Sequence, residues 1–114
     1  MMTDNPHIQN LGELAEELLQ KARGASSGRA AHSVYSGRYL KQAMLTLTAG
    51  TTMAEHDSPP EATLQVLQGS VALSSAEESW DLRAGDIMTI PPERHSVQAH
   101  EDSAFLLIIR TDVS

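Results

Sequence analysis

An all-β sandwich or barrel preceded by a single helix is the fold class that the sequence predicts. Three observations carry it. From residue 30 onward, eight short strand-like runs are separated by turn signals every 8 to 12 residues. Before them lies one apolar stripe of helical period. Within the strand region, two histidines almost forty residues apart, His56 and His95, each follow a glycine, Gly50 by six positions and Gly85 by ten. Two hairpins that deliver an imidazole each to one point would make a site.

Residues 1–9 are polar, contain Pro6 and are expected as a loose arm. Asn10 then opens a helix over 10–24. Leu11, Leu14, Ala15, Leu18, Leu19 and Ala22 fall on one face, Asn10 with Glu13 resembles a capping box, and Gly24 is placed to end the helix. Its expected role is to cover an edge of the sheet domain or to pack across a dimer. Gly-Ala-Ser-Ser-Gly-Arg at 24–29 is a connector, and residues 25–114 form the single β domain.

The strand runs expected are 30–35, 39–49, 62–67, 71–74, 79–82, 87–90, 96–99 and 104–110. In the second, Ala43, Leu45, Leu47 and Ala49 share one face, and Gln42, Met44, Thr46 and Thr48 the other. Ser36-Gly37 and Ala84-Gly85-Asp86 read as turns, and Ala76-Glu77-Glu78 joins a hairpin. Pro91-Pro92 stops the strand before it, because proline donates nothing to a ladder.

Composition narrows the function classes. The 114 residues fit one domain with one core, and aromatics are 4%, so that core is aliphatic. A net charge of −7 argues against nucleic-acid binding, and no Lys/Arg cluster suggests a membrane surface. No apolar stretch is long enough to span a bilayer, and no signal-like run is present, so a cytoplasmic protein is the default. With 0 cysteines, any metal is held by His, carboxylate or water. No catalytic triad pattern, phosphate-cradling loop or dinucleotide fingerprint occurs.

The segments around both histidines resemble the two motifs of the cupin superfamily. Gly50-Thr-Thr-Met-Ala-Glu-His56 with Leu64-Gln-Val-Leu-Gln-Gly69 is similar to the first motif. Gly85-Asp-Ile-Met-Thr-Ile-Pro-Pro-Glu-Arg-His95-Ser-Val is similar to the second, and the fifteen residues between Gly69 and Gly85 match the family's shortest spacer. The resemblance covers about residues 37–110. It implies a small double-stranded β-helix, the cupin jelly-roll barrel, and a divalent metal (Zn, Fe, Mn or Ni) held by inward ligands. Glycines 50, 69 and 85 then occupy corners that favour positive φ or close strand approach.

Departures from the motifs matter for function. The second histidine of the first motif falls at Ser58, and the family's glutamate falls at Ala62, with Glu61 one residue early. A one-residue slip sends a strand side chain to the other face unless a bulge or the Pro59-Pro60 loop corrects it. In the second motif His95 stands four residues after Pro91 rather than five, and the later Asn is Ala99. The resemblance therefore implies a metal set of His56, His95 and Glu61 if Glu61 turns inward. The alternative is a metal-free pocket in which both histidines hydrogen-bond to water or to a ligand.

Gln42, Met44, Gln65 and Gln98 are further ligand-binding candidates on strands, and His32 a lesser one. Trp80 is expected in packing or at a dimer contact, and His7 and His100 in solvent. Glu55, Asp57 and Glu61 form an acidic loop that would also favour a nearby cation. The function expected is a barrel that binds a small organic ligand, with His56 and His95 as polar anchors. The alternative is a metal-dependent enzyme, Fe/Mn dioxygenase- or isomerase-like, acting on a small organic substrate. A homodimer is expected, because an open sandwich leaves sheet edges that need cover.

Overall fold

The computed structural model describes residues 7–56 and 59–111, with the side chains of Glu55 and His56 outside the described set. Helix α1 (Leu11–Gly24) begins as the sequence predicts: the Asn10 side chain accepts a hydrogen bond from the Glu13 amide at 2.9 Å. Lys21 and Arg23 lie in the last turn, where a cation complements the helix dipole.

Nine strands follow among the described residues: β1 (Arg29–Ser36), β2 (Leu40–Leu47), β3 (Thr52–His56), β4 (Glu61–Gln68), β5 (Ser70–Ser74), β6 (Ser79–Arg83), β7 (Ile87–Thr89), β8 (His95–Ala99) and β9 (Ser103–Arg110). The eight expected runs are all present, with ends shifted by one or two residues. β3 is the strand that sequence reasoning missed. Its only large apolar residue with a described side chain is Met53, so it offers no period-2 alternation to read.

The strands form two antiparallel sheets packed face to face, ordered β1-β2-β9-β4-β7 and β3-β8-β5-β6. The non-sequential neighbours are those of a jelly roll. Gly50, Gly69 and Gly85 have φ of 83°, 82° and 97°, the left-handed region that a side chain disfavours. Gly69 is also crowded: a Cβ there would press on the Asp102 carbonyl and Ser103.

Between the sheets, Leu47, Ala62, Leu64, Val66, Val71, Leu73, Leu82, Ile90, Val97, Ala99 and Phe105 build one core. On the outer face of the larger sheet, Ala15, Leu18 and Leu19 of α1 pack on Met44 and Ala104. The helix thus lies mainly over β1 and β2, the edge side of the larger sheet. β9 is apolar on both faces because one meets the smaller sheet and the other meets α1. Burying each leucine of the helix contributes about 1.5–3 kcal/mol. Thr46, 0% exposed beneath the helix, bonds through its hydroxyl to the carbonyls of Leu18 and Ala30. At the helix C-terminal end, Arg23 Nε donates to Asp102 at 2.8 Å, and Asp102 also accepts from the Ala49 amide at 2.9 Å. No described helix is long and apolar enough to cross a membrane.

Candidate functional site

One end of the sandwich gathers the start of β8, the end of β3, the start of β4 and the ends of β7 and β9. Residues 90–94 link the two sheets there. His95 is the first residue of β8 and is 1% exposed. It shares a strand face with Val97 and Ala99, both members of the core between the sheets, so the imidazole lies on the inner face. Its Nδ1–H donates to the Glu93 carbonyl at 3.1 Å, since a carbonyl only accepts. In the neutral ring that leaves Nε2 as the acceptor atom.

The core packed between the sheets is aliphatic or aromatic. Among the described residues, the buried polar side chains are Thr46, His95 and Ser103. Thr46 faces α1, and Ser103 is bonded to Ser70 and Glu101. Trp80 packs half-buried against the core, as expected of it. The backbone of His56 pairs directly opposite His95 in the β3–β8 ladder, after a bulge between Met53 and His56.

The remaining sequence candidates fall elsewhere. Glu61 is exposed on the outer face of β4 and pairs with Arg110 at 3.2 Å. Ala62, not Glu61, takes the inward position and joins the core. The one-residue slip is therefore uncorrected, and the inward carboxylate expected for a metal set is absent there. Met44 is 0% exposed but lies under α1, on the face opposite Leu45 and Leu47. Gln42 shares the Met44 face and lines an external groove of about 620 Å³ with His7, Gln9, Leu11, Val34 and Tyr35. Gln65 alternates with the inward Leu64 and Val66 and so faces outward. Gln98 is exposed between the inward Val97 and Ala99. In all four the cause is the same: β alternation assigned them to the face that α1 or solvent covers.

His32 is exposed on the outermost strand. His100 is half-exposed and bonded to Asp81 at 2.8 Å. Asp57 and Ser58 lie outside the described residues. Among the described residues, no group of three or more His, Asp or Glu comes together to hold a metal.

No protein-family model matches the sequence, and no curated protein does either. Solved structures do match the fold. A cupin-2 domain protein of Shewanella frigidimarina superposes with a TM-score of 0.69 at 12% identity, covering 91% of this chain and 95% of the other. A cupin superfamily protein of Desulfitobacterium hafniense gives 0.68 at 15% identity, over 74% and 78%. The fold is a small cupin jelly roll. A conserved Streptococcus pyogenes protein of unknown function matches the cupin domain at 0.70 and 19% identity, over 79% and 80%. At these identities the likeness extends to architecture and goes no further.

Proposed function

We propose that this cupin domain binds a small organic molecule inside the barrel, entering at the His95 end and anchored by His95 and His56. The observation that carries the reading is the burial of the His95 imidazole beside the apolar core between the sheets. Ligand sites are built in this way, with apolar walls and a few placed polar groups. His56, whose backbone pairs with His95 in the β3–β8 ladder, is the second anchor of this reading. An imidazole can exchange hydrogen bonds with a ligand hydroxyl, amide or carboxylic acid.

Stable divalent sites in proteins use three or more protein ligands. Among the described residues no three His, Asp or Glu come together to hold a metal, and Glu61, the carboxylate that the resemblance offers, is paired outside the barrel. The binding proposed is metal-independent. Titration of the purified protein with a panel of small organic acids and sugars tests it, read as a rise in melting temperature. A ligand at one hundred times its Kd adds about 2.7 kcal/mol. Stabilisation by one panel member, lost in His95→Ala and His56→Ala, supports the reading. Stoichiometric metal in the parent, lost in both variants, would replace it with the metal-dependent enzyme.

We also propose a homodimer through β1. It is the longest sheet edge, eight residues without Pro or Lys and mostly exposed. Such an edge is a template for pairing. Light scattering should give twice the 12.3 kDa chain mass; a monomer mass refutes it.

A further inference from the structure

A second concavity opens where the sheets part. β1 and β3 are the edges of different sheets, and no ladder joins them. Between them lies a cleft of about 200 Å³. Leu45 and Leu47 of β2 and Met53 of β3 form its floor, and all three belong to or pack against the core. Ala31 and Arg29 of β1 form the wall. The register pairs Arg29 with Leu47 and Ala31 with Leu45, so both β1 residues stand on the inner face. His95 does not line this cleft. Leu47 pairs with Ser103, whereas Leu40 at the other end of β2 pairs with Arg110, so the cleft opens at the opposite end of the sandwich.

The Arg29 guanidinium has no hydrogen-bond or ion-pair partner among the described residues; only its backbone amide is bonded, to Ser27. An aliphatic floor with one unpaired guanidinium at its rim is complementary to a molecule with one anionic head and a short hydrocarbon tail. Two or more charges would leave a charge on the apolar floor, which is costly. At ~30 Å³ for each water-sized group, the volume accommodates about seven of them.

We propose that the β1–β3 cleft binds a short aliphatic monocarboxylate, its carboxylate on Arg29 and its tail on Leu45, Leu47 and Met53. The site is separate from the barrel ligand proposed above and does not depend on it.

The test is an NMR titration of the intact chain with hexanoate, with hexan-1-ol as the uncharged control. Saturable shifts at Ala31, Leu45, Leu47 and the Met53 methyl are expected, with hexan-1-ol much weaker. Arg29→Gln, at an exposed position, should weaken hexanoate about tenfold or more, the loss of a charged hydrogen bond. Ala31→Leu should block it by filling the wall, and His95→Leu should leave it unchanged. Absence of saturable shifts, equal binding of hexan-1-ol, indifference to Arg29→Gln, or shifts centred on His95 would each overturn the proposal.

Discussion

Replacing His95 by leucine separates a residue kept for binding from one kept for folding. The imidazole is 1% exposed and donates to the Glu93 carbonyl. Leucine of similar bulk forfeits that hydrogen bond, a net cost of about 0.5–1.5 kcal/mol. That bond is part-buried, so the Glu93 carbonyl is not left wholly without solvent. Against this, leucine removes the burial of a polar ring and adds apolar contact with the core that Val97 and Ala99 share, a gain of about 1–2 kcal/mol. The two nearly cancel, and the net change should stay within about 1 kcal/mol. His95→Ala differs because it leaves a cavity, and should cost about 2–4 kcal/mol. Urea unfolding reads both, with the slope checked for constancy so that a midpoint shift means a stability change. If His95→Leu lost more than about 3 kcal/mol, the size of an uncompensated buried group, the imidazole would be a structural keystone and the anchor argument would fail. A stable His95→Leu that no longer responds to the parent's ligand is the expected result.

Four other perturbations have outcomes set by the fold. Gly69→Ala should cost about 2–5 kcal/mol, adding left-handed strain to a clash with the Asp102 carbonyl and Ser103, whereas Gly50→Ala and Gly85→Ala, with open space at Cβ, should cost only about 1–2 kcal/mol; equal losses in urea unfolding would refute the contrast. Leu19→Ala, at a 0% exposed position under the helix, should cost about 2–5 kcal/mol by the same measurement. The Ala49 amide and then the Arg23 guanidinium hold the Asp102 carboxyl below the usual carboxylate range. A lowered folded pKa stabilises above that range and is lost as pH falls through it, so Asp102→Asn should flatten the acid limb of the stability–pH curve while the parent's falls. Glu61→Gln should change stability by no more than about 1 kcal/mol, since its pair with Arg110 is exposed, and should leave ligand response and metal content untouched.

Periodicity made the helix and most strands legible. The Asn10 cap, the stripe from Leu11 to Ala22 and the glycine corners are local signals, and local hydrogen bonding or local φ decides them. β3 was illegible for the converse reason. Its hydrogen bonds to β8 form across more than forty residues of chain, and nothing in Thr52–Ala54 advertises a buried face. Strand ends moved by a residue or two because a ladder stops where its partner stops, which no single segment encodes.

Which face a strand buries is a harder question than whether it is a strand, and the site turns on it. β2 reads as apolar on both faces: Ala43, Leu45 and Leu47 on one, Met44 on the other. Only α1, lying across the outer face, explains why Met44 is 0% exposed while outside the barrel. A strand covered on both sides carries no inside label, so Gln42 and Met44 could not be told from lumen residues. β4 is the opposite case. Ala62, Leu64 and Val66 alternate cleanly with Glu61, Thr63 and Gln65. That alternation fixes Glu61 outward once Leu64 is inward, and the Arg110 pair holds it there. The motif resemblance drew the carboxylate toward the metal, while the alternation carried the decisive information. His95 needed no such choice: Val97 and Ala99, at two and four residues beyond it, are the inward face of β8. The same period that removes Glu61 from the barrel puts His95 inside it.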